Sequence, residues 1–161
     1  MTSDALAIVA GDLTDARIVA LLHHHVTTAL AQGPRDSCHA LDVSALQRPE
    51  IAFWAVWEGE VLLGVCALLD LGEGHGEVKS MHTSQAARRR GVGGAMVRHI
   101  IATARQRGFR RLSLETGAAD YFMPARALYA RHDFVECEPF GDYRPDPHSV
   151  FMTLDLAGEA H

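Results

Sequence analysis

The residues best suited to chemistry gather in Glu77–Gly94, EVKSMHTSQAARRRGVGG. A strand-like segment runs into a basic, glycine-rich turn, and that turn opens a long helical segment. Backbone amides in the first turn of a helix lack intrahelical partners and sit at the positive end of its dipole, so they hold phosphate. Gly91, Gly93 and Gly94 let a ligand approach the backbone, and Arg88, Arg89 and Arg90 add charge that reaches phosphate oxygens the backbone leaves unsatisfied. No Gly-Lys-Ser/Thr comes after the turn, which sets aside a Walker A loop. No acidic residue ends a strand about 20 residues on, as a dinucleotide fingerprint requires. A tight strand-to-helix turn with no ligand stays open as the structural reading of the same residues.

Other polar side chains fall later in the chain. Glu115 and Thr116 end a strand-like segment, and Tyr143, Arg144, Asp146 and His148 share one polar loop. In such a loop Asp146 could bind an ammonium and Arg144 a carboxylate, or all four could be solvated surface. His23-His24-His25 does not read as a metal site, because consecutive helical residues project about 100° apart and helical metal pairs prefer i, i+4 spacing. Cys38, Cys66 and Cys137 are isolated and form no CxxC pair. They read as reduced thiols of a cytoplasmic protein, not as a disulfide frame or a zinc site. Neither Cys66 nor Cys137 has a histidine at a recognisable spacing, so no covalent nucleophile is expected.

These residues need elements to hold them. Ala5–Ala10 is a short apolar run ending at Gly11, a first strand, and Asp12 or Thr14 can cap the helix after it. Ile18, Leu21, Leu22, Val26 and Leu30 recur at helical spacing, and Gln32-Gly33-Pro34 closes that helix. A shorter helix is expected around Val43–Leu46. Ile51–Trp57 and Val61–Leu69, split by Glu58-Gly59-Glu60, read as a hairpin in which Trp54 and Trp57 pack. Gly72–Gly76 makes a turn and Glu77–His82 a third strand. Val92–Arg107 is a helix, Arg111–Glu115 a strand, Ala125–Arg131 a helix, and Phe134–Cys137 and Val150–Leu156 closing strands. Helices alternate with strands in the second half only. The fold class is therefore α/β (α+β): a mixed, mostly antiparallel sheet of about seven strands with helices on both faces.

Composition bounds the function. The chain has 161 residues, one domain's length at roughly 100–200 residues each, and one domain is expected over residues 1–161. It is 48% hydrophobic and 22% charged, which excludes a disordered chain. The longest apolar runs are about half the ~20 residues that span a bilayer, so no membrane contact is expected. Met1–Gly11 carries no basic residue and does not read as a signal peptide. A net charge of −5 argues against coating nucleic acid. Binding through Arg88–Arg90 with Arg105, Arg107, Arg110 and Arg111 would show as steep salt dependence.

Arg88, Gly91 and Gly93 match Gln/Arg-x-x-Gly-x-Gly/Ala, and the segment resembles the acetyl-CoA-binding motif of the GCN5-related N-acetyltransferases. Ala127–Phe134, ALYARHDF, is similar to that family's A-L-Y-x-x-x-G-F segment, with Asp133 where the family usually has Gly. Phe122, seven residues before Tyr129, stands where many members carry an Asn. The tail Pro139–Met152 resembles a subgroup of uncharacterised small acetyltransferases. The element order agrees as well, so the resemblance covers essentially the whole chain.

The resemblance implies a V-shaped split between Glu77–Thr83 and Arg111–Thr116 that holds the pantetheine of acetyl-CoA. Backbone groups of Met81 and Thr83 would pair with it like an added strand, with His82 between them. The Met81 amide would polarise the thioester carbonyl. Amides and side chains of Arg88, Arg89, Arg90, Gly91, Val92, Gly93 and Gly94 would hold the pyrophosphate. Glu77 lies fourteen residues before Gly91, the spacing of the glutamate base in histone-type members, with His82 or water as alternatives. Tyr129 matches the tyrosine often assigned as general acid. Glu115, Thr116, Tyr143 and Asp146 would line the acceptor pocket. The implied reaction is direct transfer of an acetyl group from acetyl-CoA to a primary amine of a small molecule or peptide, with no metal. An acyl-CoA-binding or sensory module of the same fold is the competing reading. Small members are often dimers, and the late strands could pair across a two-fold axis.

Overall fold

β-Branched and aromatic residues fill Ile51–Glu58, the apolar run Val61–Leu69 pairs beside it, and around them a computed structural model builds one seven-stranded sheet. The structure describes residues 6–34, 40–87 and 91–156. The elements run β1 (Ala7–Ala10), α1 (Ala16–Leu30), α2 (Val43–Leu46), β2 (Ile51–Glu58), β3 (Val61–Gly72) and β4 (His75–Thr83). They continue with α3 (Val92–Gln106), β5 (Arg111–Gly117), α4 (Met123–Arg131), β6 (Val135–Glu136) and β7 (Ser149–Asp155). Strand order is β1-β2-β3-β4-β5-β7-β6, and every neighbouring pair is antiparallel except β4 and β5. One face buries Ile18 and Leu22 of α1 and Leu46 of α2 against Phe53, Ala55, Val65 and Ala67. The other buries Val92, Met96, Val97 and Ile100 of α3 and Tyr129 of α4 against Leu68, Val78, Leu112 and Leu114. The expected two-faced mixed sheet is thus the sheet observed.

Several boundaries differ from the sequence reading, each for a local reason. Neither Asp12 nor Thr14 caps α1: Asp15 does, its Oδ1 accepting from the Arg17 amide at 2.9 Å. The Asp12 carboxylate instead accepts from the Thr14 amide at 2.8 Å and the Thr14 hydroxyl at 2.6 Å, a turn two residues too early. The Gly72–Gly76 turn shrinks to Glu73-Gly74, both left-handed at φ +58° and +77°, as a two-residue hairpin turn requires. That lets β3 run on to Gly72 and start β4 at His75, paired with it. The α4 helix starts at Met123, before the expected Ala125, because Pro124 fits a first turn. The expected Phe134–Cys137 strand shortens to Val135–Glu136: Phe134 is buried in the core, and beyond Glu136 one further bond runs from the Cys137 amide to the Phe151 carbonyl at 2.9 Å. Trp57 packs under the Arg17 guanidinium, 4.5 Å from the ring centroid, and Trp54 meets His99 edge-on at 4.7 Å.

Two irregularities shape the middle of the sheet. The β4–β5 ladder holds only from His75↔Arg111 to Glu77↔Ser113, although β4 continues to Thr83 beside β3 and β5 to Gly117 beside β7. The two parallel strands therefore separate past Glu77. On its other edge β4 bulges: Val65 faces His82 and Ala67 faces Lys79, so Ser80 and Met81 together oppose Cys66. Ser80 takes φ +54° at this bulge. A bulge bends its strand and raises local twist, which here acts where β4 leaves β5.

Candidate active site at the strand separation

The gap between β4 and β5 opens a cavity of about 150 Å³. Val78 to Met81 form one wall and Glu115 to Gly117 the other. Phe122, Ala125 and Tyr129 reach it from α4, and His25 and Ala29 from α1. The cavity thus meets elements from both faces of the sheet. The Phe122 ring packs so tightly on β5 that a Cβ at Gly117 would lie 2.1 Å from it. Arg126 Nη1 donates to the Gly117 carbonyl at 2.6 Å and the Ala119 carbonyl at 3.1 Å, tying α4 to the end of β5.

Glu115 and Tyr129 line this cavity together. The Ser149 hydroxyl donates to Glu115 Oε2 at 2.8 Å. Burial nonetheless pushes the Glu115 carboxyl up to about 7, outweighing the opposing pull of Ser149 and Lys79, while Glu77 and Asp146 add to the rise. Burial also holds the Tyr129 phenol above its ordinary range, with smaller contributions from Cys66 and Glu115. Thr116 shares the wall with Glu115.

Glu77 lies elsewhere. It is buried, and the Tyr143 hydroxyl donates to its Oε2 at 2.5 Å. Lys79 Nζ donates to the same oxygen at 3.3 Å and to the Tyr143 oxygen at 2.9 Å. Burial, then the Glu77 charge and hydrogen bond, raise the Tyr143 phenol. These three groups, with Asp146 and Arg144, border a second cavity of about 560 Å³, which adjoins the first at Lys79. Asp146 Oδ1 accepts from the His148 amide at 2.8 Å, which shapes the loop.

The rest of the predicted set spreads along β4 and α3. Met81 lines the first cavity and its side chain packs against the core. His82 meets His25 with their Nδ1 atoms 3.0 Å apart, so one ring donates and the other accepts. Burial, then His82, Lys79 and His24, pull His25 down to about 4. Thr83 ends β4 opposite Gly64. Arg88, Arg89, Arg90 and Cys38 lie outside the described residues. Gly91 caps α3 at φ +75°, so conformation requires a glycine there. Gly93 answers to packing: a Cβ would lie 3.0 Å from Leu128 of α4. Val92 is buried in the core, and a Cβ on Gly94 would meet Arg98 Nη1 at 3.1 Å. Asp133 takes φ +74°, which explains why a glycine suits that position. Burial pushes the Cys66 thiol up to about 12, so it stays protonated and unreactive. Among the described residues no three His, Cys, Asp or Glu side chains are placed to hold a metal, and no helix is long and apolar enough to cross a membrane.

Lys79, Ser149 and His25 went unnoticed in the sequence as parts of a site. Each meets a partner across a long sequence interval, Lys79 with Tyr143, Ser149 with Glu115 and His25 with His82, and no short motif marks such pairs.

A seven-stranded mixed sheet that separates between its two parallel strands, with a cavity at the separation, defines the acyl-CoA N-acyltransferase fold. A crystal structure from Klebsiella pneumoniae, provisionally described as an acyl-CoA N-acyltransferase, superposes with a TM-score of 0.78 at 27% identity, over 96% of this chain and 99% of that one. An acetyltransferase of Bacillus subtilis in complex with CoA has the same fold, with a TM-score of 0.70 at 20% identity over 94% and 99% of the two chains. The chain is 49% identical over 145 residues to the "Uncharacterized N-acetyltransferase YedL" of Escherichia coli strain K12, covering 90% of this chain and 91% of the relative. The profile of the acetyltransferase (GNAT) family matches residues 19–134. The chain belongs to that family and is an acetyltransferase.

Proposed function

We propose that the protein moves an acetyl group from acetyl-CoA directly to a primary amine of a small molecule or peptide, with both substrates bound together. The observation that carries this reading is the pairing of Glu115 and Tyr129 on one cavity at the strand separation. Past Glu77 the β4 edge that faces β5 has no ladder partner among the described residues, so an extended pantetheine with its two amides fits there as a substitute strand. Backbone groups of Met81 and Thr83 would hold it. The α3 amides from Gly91 onward, with Arg88, Arg89 and Arg90, would take the pyrophosphate. The Bacillus subtilis neighbour, solved in complex with CoA, supports this choice of cosubstrate.

Acyl transfer to an amine needs a base for the attacking nitrogen and an acid for the departing sulfur. Glu115, poised at about 7, is half ionised near neutrality and suits the base. Glu77, bonded by Tyr143 and Lys79 beside the second cavity, anchors the late loop. Tyr129 keeps its proton at neutral pH, as a donor to sulfur must, and burial makes the thiolate a stronger acceptor as well. The second cavity, with Tyr143 and Asp146 on its wall, would receive the body of the acceptor.

The test is a thermal-shift titration with acetyl-CoA followed by turnover against a panel of amines. A ligand that binds only the native state stabilises it by RT ln(1 + [L]/Kd), about 2.7 kcal/mol at a hundredfold excess over Kd. A shift with turnover supports the reading. A shift with no amine acetylated would favour a binding module, and no shift would remove the cosubstrate altogether.

A further inference from the structure

Three buried side-chain polar atoms among the described residues have no hydrogen-bond partner: Ser80 Oγ, Ser84 Oγ and His99 Nε2. Of these residues, Ser80 alone lines the cavity between β4 and β5. It also carries a second anomaly. It is the left-handed residue of the bulge, at φ +54°, a place where glycine is the ordinary choice because a Cβ there crowds the following carbonyl. A buried, unpartnered hydroxyl costs stability, and so does a non-glycine residue at positive φ. Replacing Ser80 with glycine would remove both costs. Sequence and fold thus keep, on a residue that lines the reaction cavity, a buried hydroxyl that the free protein does not use. Tyr129 and Glu115 border the same cavity, and Met81, whose amide would face the thioester, is the next residue.

We propose that the Ser80 hydroxyl donates a hydrogen bond to the oxygen of the transferred acyl group, as a side-chain member of the oxyanion site. This rests on the acetyl-transfer reading above. A serine hydroxyl could instead be a nucleophile, but that role needs a base hydrogen-bonded to it, and Ser80 Oγ has no such partner. A donor role needs only an oxygen to point at, and a staggered χ1 rotor can turn the hydroxyl to meet it. During transfer the amine lone pair attacks the acyl carbon, the C–N bond forms, and the carbonyl π pair moves onto oxygen. The oxygen then returns that pair as the C–S bond breaks and sulfur leaves with the bonding electrons. Glu115 accepts the amine proton and Tyr129 gives one to sulfur. Ser80 keeps its own proton throughout and stabilises the charge on oxygen.

The experiment compares Ser80→Gly and Ser80→Ala with wild type, in full-length protein, by steady-state kinetics and by calorimetric binding of acetyl-CoA and of S-ethyl-CoA, a thioether with no carbonyl oxygen. Loss of one oxyanion donor costs about 10²-fold in kcat. We expect that loss in both variants with KM for acetyl-CoA nearly unchanged. We also expect both variants to bind acetyl-CoA and S-ethyl-CoA as wild type does, because the hydrogen bond strengthens only as charge forms on the acyl oxygen. Ser80→Gly relieves the backbone, so it folds even where Ser80→Ala fails. Full kcat in Ser80→Gly would overturn the proposal. So would an equal loss of affinity for both CoA compounds with kcat intact, which would make the hydroxyl a pantetheine contact. A wild type that binds neither compound would refute the acetyl-transfer reading itself, a result distinct from the others.

Discussion

Glu115 and Glu77 are the same residue type on adjacent strands, and their surroundings give them different work. Glu115 is accepted into a cavity with one hydroxyl partner, and burial raises its carboxyl to about 7. Glu77 receives a phenol and an ammonium and faces the other cavity. A base must be ionised to accept a proton, so kcat/KM should climb as pH rises through about 7. Glu115→Gln should lower kcat by about 10²- to 10⁴-fold and remove that limb. Glu77→Gln should keep the limb and weaken acceptor binding by loosening Tyr143. A pH–rate profile of the three proteins decides it, and a limb that survives in Glu115→Gln would reassign the base. Cys66 gives a simpler residue-scale expectation. With its thiol at about 12, iodoacetamide at pH 8 should leave it unmodified in the folded protein, as read by mass spectrometry. The sequence offers Glu77 as a base by its spacing from Gly91 and Tyr129 as an acid by its motif, and only Tyr129 keeps that part in the proposed mechanism. Glu115 could be placed only at a pocket rim, because its burial and its Ser149 partner, 34 residues away, have no local signature.

At the scale of elements, periodicity carried most of the fold. The α2 helix stands at Val43–Leu46 as expected, and α3 departs from its expected span by one residue at its end. What escaped were features set by backbone geometry: the two-residue turn at Glu73-Gly74, the Asp15 cap, and the bulge at Ser80. The turn and the cap leave the hydrophobic pattern unchanged, and the bulge shifts it only by placing Val78 and Met81, three residues apart, on one core, too short a signal to read in one strand. The glycine-rich turn also divides into different causes once it is folded. Gly91 is fixed by its φ of +75° with open space around it, and Gly93 by Leu128. Gly91→Ala should therefore cost about 1–2 kcal/mol of backbone strain with no clash, a fall in Tm of roughly 2–8 °C. Gly93→Asp should lower Tm without any ligand, because the new side chain must displace Leu128 between α3 and α4. Differential scanning calorimetry of the ligand-free proteins measures both. An unchanged Tm for Gly93→Asp would show that α3 and α4 part easily there.

At the scale of the whole molecule, the cavity is assembled from residues between His25 and His148, and it leaves ionisable groups buried on both sides of the sheet. Two of them set opposing pH dependences on stability. His25 is held at about 4 against an ordinary 6.5, so the folded state resists its protonation, and stability is lost as pH falls from 6.5 through 4. Glu115 is held at about 7 against an ordinary 4.5, so the folded state resists its ionisation, and stability is lost as pH rises from 4.5 through 7. Between about 4.5 and 6.5 the two slopes oppose, which predicts a flat maximum of stability there with a fall on either side. Glutamine matches the protonated form of Glu115 and can still accept from Ser149. Glu115→Gln should therefore equal wild type in Tm at pH 5 and exceed it at pH 8. The gain is on the order of 1–3 kcal/mol, the free energy that a shift of this size represents. The variant that loses the base would be the more stable protein at neutral pH, because the carboxylate is buried for reaction and not for folding. Thermal melts of both proteins from pH 4 to 9 test this. A Tm difference that is the same at pH 5 and pH 8 would mean that Glu115 ionises freely in the folded state, and the base role would lose its physical ground.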